Sequence, residues 1–175
     1  ADFQAVDGLA DECGVQALLE EGRSFHAEDL EPIFTDMAGF YDKVFWAFLE
    51  RPRIFQVAAQ FRRADQLPGR YWHKRQDNLP GTPPRDDETA CRELADALGT
   101  YFQLSQGRGR SCEVEVYRRD ARYYYFCFSE DYGRTQMEFE AGRLARRAHR
   151  PAFEVVFVYV PGSALDTHFP GPKKV

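Results

Sequence analysis

The stretch SCEVEVYRRDARYYYFCFSEDYGRTQMEFEAGRLARRAHRPAFEVVFVYV, residues 111–160, decides the fold class of this chain. Aromatic and β-branched runs recur in it about every ten residues. Asp120, Gly133, Gly142 and Pro151, then Pro161-Gly162, punctuate them as turns. This spacing predicts antiparallel strands over residues 111–118, 122–129, 135–140, 143–149 and 153–160. In the first, Cys112, Val114 and Val116 alternate with Glu113, Glu115 and Tyr117, so one face is wet. In the second and the last, both alternating sets are apolar, as a strand at the sheet centre requires.

Upstream, the apolar period changes from two to three and four. Leu30, Ile33, Phe34, Met37, Tyr41, Val44, Phe45 and Phe48 predict one amphipathic helix over residues 29–49, with Asp29 as its N-cap. A second helix starts near Pro52 and turns Ile54, Phe55, Ala58, Ala59 and Phe61 inward. A third follows Asp86 or Asp87, with Cys91, Leu94, Ala95, Leu98, Tyr101 and Phe102 on one stripe and Gly107 past its end. Between them, residues 68–85 carry Pro68, Pro80, Pro83 and Pro84 with two glycines and read as a loop, with residues 71–75 extended inside it. The fold class expected is α+β: N-terminal helices packed on one face of a roughly five-stranded antiparallel meander sheet. The helical part covers about residues 1–106 and the sheet about 111–169.

At 175 residues the chain suits a single domain over residues 1–175, burying about 70% of its unfolded surface. Fifteen Phe, nine Tyr and two Trp supply large pieces of core, and the composition excludes a disordered chain. Cys13, Cys91, Cys112 and Cys127 are far apart and form no metal-chelating or thiol-exchange pair, which reads as buried free thiols in a reducing compartment. No apolar run approaches the ~20 residues that span a bilayer, so the expectation is a soluble, cytoplasmic protein with no membrane partner. The chain starts at Ala1 without a methionine and ends in a polar tail, which fits a fragment of a longer protein.

The net charge of −5 is unevenly spread: residues 1–50 hold twelve acids and two bases, whereas residues 51–150 hold nineteen bases and fourteen acids. A polyanion is therefore the first partner to test. Arg62, Arg63, Arg70, Trp72, Lys74 and Arg75 combine cations with a flat ring, the combination that neutralises a phosphate backbone while bases stack. Arg108, Arg110, Arg118 and Arg119 form a second basic group and Arg146 and Arg147 a third. The alternative reading is a solvated arginine surface paired with the acidic first fifty residues.

Residues 9–15 have the look of the first helix and glycine turn of a helix-turn-helix, with residues 16–21 as its second helix, but Glu20 and Glu21 would face the phosphates. The run Tyr123-Tyr124-Tyr125-Phe126-Cys127-Phe128 is read as sheet packing, because the glycine-containing strand motif of RNA-recognition domains is missing. Glu113, Glu115, Glu138 and Glu140 suit solvent faces of strands, and a metal-dependent nuclease would need two of them facing in a cleft. The four histidines are dispersed, and no catalytic residue, metal or cofactor is indicated by any local motif.

Residues 106–110, Tyr117-Arg118-Arg119, Glu130-Asp131-Tyr132, residues 150–154, Tyr159 and Leu165-Asp166, with Phe45-Trp46 and residues 71–75, resemble a block found in uncharacterised bacterial proteins. The resemblance implies a bacterial cytoplasmic source and assigns no site. The function expected is a non-catalytic binding or regulatory module, nucleic acid first among partners. The alternatives are protein–protein or homodimer contact through the acidic helical half, and a metal-dependent nuclease or other hydrolase assembled only in space.

Overall fold

The computed structural model describes residues 2–27, 29–65 and 72–169. The chain divides into two units, residues 1–69 and 70–175. The first is helical: α1 (Asp2–Leu9), α2 (Glu12–Ser24), α3 (Leu30–Thr35), α4 (Phe40–Glu50) and α5 (Pro52–Asp65). Leu9, Leu18, Leu30, Phe34, Val44, Ala47, Ile54 and Phe55 meet in its core. Burying each of the large aliphatic side chains there stabilises the unit by about 1.5–3 kcal/mol.

Two helical expectations need correction. The repeat over residues 29–49 is not one helix, because Asp36 to Gly39 leave the helical path and Gly39 is extended (φ −100°, ψ 149°). The period carries across the break because Leu30 and Phe34 of α3 and Val44 and Ala47 of α4 feed the same core. Asp29 does not cap α3 with its side chain, and instead accepts a 2.5 Å hydrogen bond from Arg51. The helix-turn-helix outline also fails, since the chain turns at Ala10-Asp11 and Gly14 lies in the first turn of α2. Asp11 caps that helix by accepting the Gly14 N–H at 2.7 Å. Gly14 serves close packing, because a Cβ there would stand 2.2 Å from the Leu9 carbonyl oxygen.

The second unit carries β1 (Trp72–Asp77), α6 (Glu88–Gln106), β2 (Cys112–Arg119), β3 (Arg122–Glu130), β4 (Arg134–Glu140), β5 (Arg143–His149), β6 (Ala152–Val160) and β7 (Ala164–Phe169). Five of these strands pair antiparallel in the order β1-β7-β6-β3-β2, so the α+β class and the five-stranded sheet are present. The membership differs from a simple meander. β4 and β5 form a separate two-stranded ribbon, and β6 pairs directly with β3, Phe126 opposite Val156. A central strand must be apolar on both faces, which β3 and β6 are and the charged β4 and β5 are not. The places taken from the meander go to β7, behind the turn at Pro161-Gly162, and to β1, an exposed edge strand. The charges of β1 (Lys74, Arg75, Asp77) discourage pairing with another chain.

α6 starts as expected, with Asp87 accepting the Ala90 N–H at 3.0 Å, and ends at Gly107 in the left-handed region (φ 69°). Its Leu94, Leu98 and Phe102 pack on Tyr123, Tyr125, Cys127, Phe153 and Val155. Phe102 meets Phe153 edge to face at 4.8 Å, a geometry that adds about 0.5–1.5 kcal/mol to area burial. Gly109 makes this seat possible: it sits at φ 81°, a Cβ would stand 2.6 Å from that of Phe102, and its N–H donates to the Glu130 carbonyl at 2.8 Å. Among the described residues no helix is long and apolar enough to cross a membrane.

Candidate ligand-binding cavity and the placement of the basic residues

An α-helix is about 10 Å across and strands are about 4.8 Å apart, so one helix shields little more than two strands. α6 lies over β2 and β3. The polyproline loop shields one further end of that face: Tyr159 Oη donates to the Pro80 carbonyl at 2.6 Å, and Tyr125 Oη to the Arg85 carbonyl at 3.2 Å. Burial, helped by the charge of Asp86, pushes the Tyr125 phenol up to about 12. What stays open is the other end of β6, β7 and β1, beside the last turns of α6. A cavity of about 350 Å³ lies there.

Its walls are Leu98, Tyr101 and Phe102 from α6, Phe153, Val155 and Phe157 from β6, and Phe169 from β7. Four polar side chains reach it: Lys74, Thr167, Gln106 and Arg108. Lys74 and Thr167 are register partners on β1 and β7, so the ammonium and the hydroxyl stand side by side at one wall. Arg108 is held rigidly at another. Its guanidinium donates to Asp131 Oδ1 and Gln106 Oε1 at 2.8 and 2.7 Å and stacks 3.9 Å above the Phe153 ring. Burial alone would raise the Asp131 carboxyl, but the hydrogen bond from Arg108, the Tyr132 N–H and the nearby cations outweigh it and hold it low. Arg108 therefore arrives with its charge compensated. Lys74 has no carboxylate partner among the described residues. The cavity thus presents one uncompensated positive charge on an apolar, aromatic surface, and its volume lies in the range of small-ligand sites, about 300–1,000 Å³.

The basic residues singled out from the sequence do not assemble into one surface within the second unit, and the reason is strand geometry. Successive side chains of a strand point to opposite faces. Lys74-Arg75, Arg118-Arg119 and Arg146-Arg147 are all on strands, so each adjacent pair is split. Lys74 faces the cavity while Arg75, on the reverse, binds Asp77 at 2.8 Å and Asp166 at 3.3 Å. Arg110 and Arg118 lie at opposite ends of β2, and Arg118 bonds the Asp120 carbonyl and stacks on Tyr123. Arg147 is tied to Glu140 at 2.7 Å, while Arg146 faces the other side of the ribbon. Trp72 is half exposed at the sheet edge. In the first unit, Arg62 and Arg63 end α5, with Arg62 paired to Asp11 at 2.7 Å. Arg70 lies outside the described residues.

Other sequence expectations are refined as well. Cys13 is exposed and Cys91 and Cys112 are half-buried, so of the four free thiols only Cys127 is fully buried. Two of the dispersed histidines meet: His73 and His168 stack across β1 and β7. Among the described residues no group of three or more His, Cys, Asp or Glu is placed to hold a metal ion. Glu113 and Glu154 share a face but have Phe128 between them in the register, and Glu138 and Glu140 lie on the ribbon beside Arg147.

The wall residues Tyr101, Phe153, Val155, Phe157 and Phe169 are the functional candidates that sequence reasoning missed. For Phe153, Val155 and Phe157 the available signal was an apolar face on β6 longer than the stripe of a single helix covers. Comparison with protein-family models, curated proteins and solved structures finds no match to this chain.

Proposed function

We propose that residues 70–175 form a non-catalytic binding module for a small amphipathic anion, with a flat or branched apolar body and one carboxylate or sulfonate group. The observation that carries this reading is the pairing of an unneutralised Lys74 with an aromatic cavity of about 350 Å³. Burial of the apolar body supplies affinity at about 25 cal/mol per Å², and the ammonium with the Thr167 hydroxyl fixes which end of the ligand lies at β1. Fluorescence titration with anilinonaphthalene sulfonate, in competition with naphthoate and decanoate, tests it. One site per chain is expected, weakened about fivefold or more by Lys74→Ala, the loss of roughly 1 kcal/mol of charge interaction, and abolished by Val155→Trp, which fills the space. Binding indifferent to both substitutions would refute the assignment.

A second reading is favoured by one observation in the helical unit. A hollow on α4 is lined by Met37, Tyr41, Phe45, Trp46 and Leu49 between Asp36 and Asp42, and Tyr41 and Leu49 are largely exposed. Exposed apolar side chains with an acidic rim suit a basic amphipathic helix of a partner protein. Calorimetry with a leucine-lysine helical peptide should give salt-sensitive binding that Leu49→Glu removes. A peptide that binds the Leu49→Glu chain equally well excludes the hollow.

A further inference from the structure

The β4–β5 ribbon holds seven cross-strand pairs, from Arg134 opposite His149 to Glu140 opposite Arg143, and no third strand pairs with it among the described residues. All of β4 and all of β5 except Ala145 are exposed. An isolated two-stranded ribbon is marginal in water. One face of this one shows Met137, Phe139 and Leu144 to solvent, at 64%, 80% and 57% exposure.

The ribbon's turn fixes which backbone groups are free. Ala141 and Gly142 both have positive φ (49° and 79°), the signature of a two-residue type I′ loop. Glu140 and Arg143 then form the closing hydrogen-bonded pair, and alternation turns the N–H and C=O of Glu138 and Gln136 inward too. Thr135, Met137 and Phe139 point theirs outward along the open edge of β4.

We propose that this edge pairs antiparallel with β4 of a second copy of the chain, about a two-fold axis through Met137, giving a continuous four-stranded sheet. In that register Met137 faces Met137, Thr135 faces Phe139, Gln136 faces Glu138 and Arg134 faces Glu140, each of the last three twice. The odd-numbered residues lie on the apolar face and the even-numbered ones on the charged face, so apolar meets apolar and base meets acid. The outward groups of Thr135, Met137 and Phe139 supply about six backbone hydrogen bonds. The β5 edge has no comparable solution. Its strand carries Arg143, Arg146 and Arg147 with no acid, and self-pairing centred on Arg146 sets the two Arg146 residues side by side. Pairing β4 to β5 of another copy would be head-to-tail and would build rings or open filaments, not a closed pair. The self-complementary β4 edge closes at two, and an edge contact of this size belongs to the weak, concentration-dependent class.

Sedimentation velocity of the full chain over a hundredfold concentration range tests the proposal. The expected result is a monomer–dimer equilibrium. Met137→Pro removes an outward N–H and none of the ribbon's own ladder bonds, and should leave monomer at every concentration. Arg134→Glu sets like charges against Glu140 and should weaken the dimer at least fivefold. A chain that stays monomeric throughout, a Met137→Pro chain that dimerises as before, or growth beyond two copies would each overturn the proposal. None of these readouts depends on ligand binding at the cavity.

Discussion

The imidazole rings of His73 and His168 stack at 4.9 Å with 18° between their planes, although one belongs to the edge strand β1 and the other to β7. Asp166 bonds His73 Nε2 at 2.8 Å and also meets Arg75, while His168 Nδ1 is buried without a hydrogen-bond partner. A proton on His168 would place a charge in a poorly solvated stack.

That arrangement gives stability a pH dependence of defined sign. Burial first, then the neighbouring His73, lower the His168 pKa, and Asp166 only partly opposes them. The unfolded chain takes this proton near pH 6.5 and the folded one resists. The stabilisation is complete above about pH 6.5 and is lost as pH falls through that value toward the lower folded pKa. The urea midpoint should fall between about pH 7 and pH 5, and His168→Phe, which keeps the stack without the proton site, should flatten the decline. A decline of unchanged steepness in His168→Phe removes His168 as its cause.

Gly14→Ala should destabilise the helical unit by about 1–3 kcal/mol, the cost of overpacking, because the new methyl collides with the Leu9 backbone. Gly8→Ala on α1 is the control. Nothing lies within 4 Å of a Cβ there, so the change should be neutral or stabilising by up to about 1 kcal/mol. Denaturant midpoints of the two variants decide it, and equal effects would show that the close approach of α1 to α2 is absent in solution.

Thiol reactivity should separate the cysteines. Cys13 is exposed and should react with a maleimide within minutes, whereas burial encloses Cys127 and pushes its thiol far up. Mass mapping should find Cys127 modified only on unfolding. Modification of Cys127 at the pace of Cys13 would show that β3 is not covered as described.

Asp87→Ala should lower stability by removing the α6 N-cap. The carboxyl is held below its ordinary range chiefly by the Ala90 N–H, so this contribution is present above about pH 4 and fades as pH falls through the lowered value. Thermal melts at neutral pH and near pH 3 should therefore differ less for Asp87→Ala than for the parent chain.

How much of this could be read in advance follows from what each signal encodes. α5, α6, β2, β3 and β6 were legible because each has to bury a periodic apolar set. The strand signals of β4 and β5 were equally legible, but alternation identifies a strand without naming its neighbour, and the two-sided apolar pattern of β3 and β6 was the clue to their direct pairing. β1 was legible only as an extended stretch at residues 71–75 inside a loop, and its place in the sheet was not, because Trp-His-Lys-Arg-Gln-Asp is an edge whose residues stay exposed and carry no burial pattern. The break at Gly39 escaped because α3 and α4 share one core and keep one period across it. Lys74 and Arg108 were singled out as cations, but their common cavity depends on how far α6 extends across the sheet, a tertiary quantity that no local pattern carries.

Arg108 provides the sharpest test of the charge logic at the cavity, because its positive charge is already answered by Asp131. Asp131→Asn keeps the shape and most hydrogen-bonding capacity but removes that answer, and leaves a guanidinium stacked on Phe153 with an uncompensated charge facing the cavity. Two opposite effects are expected. Stability should fall by about 1–3 kcal/mol as a charge-assisted bond becomes a neutral one. Affinity for anilinonaphthalene sulfonate should rise, by about fivefold for roughly 1 kcal/mol of added attraction. Urea melts and fluorescence titration of the same variant read the two quantities separately. A variant that is less stable and also binds the anion more weakly would mean that Arg108 shapes the cavity wall without contributing its charge to the ligand.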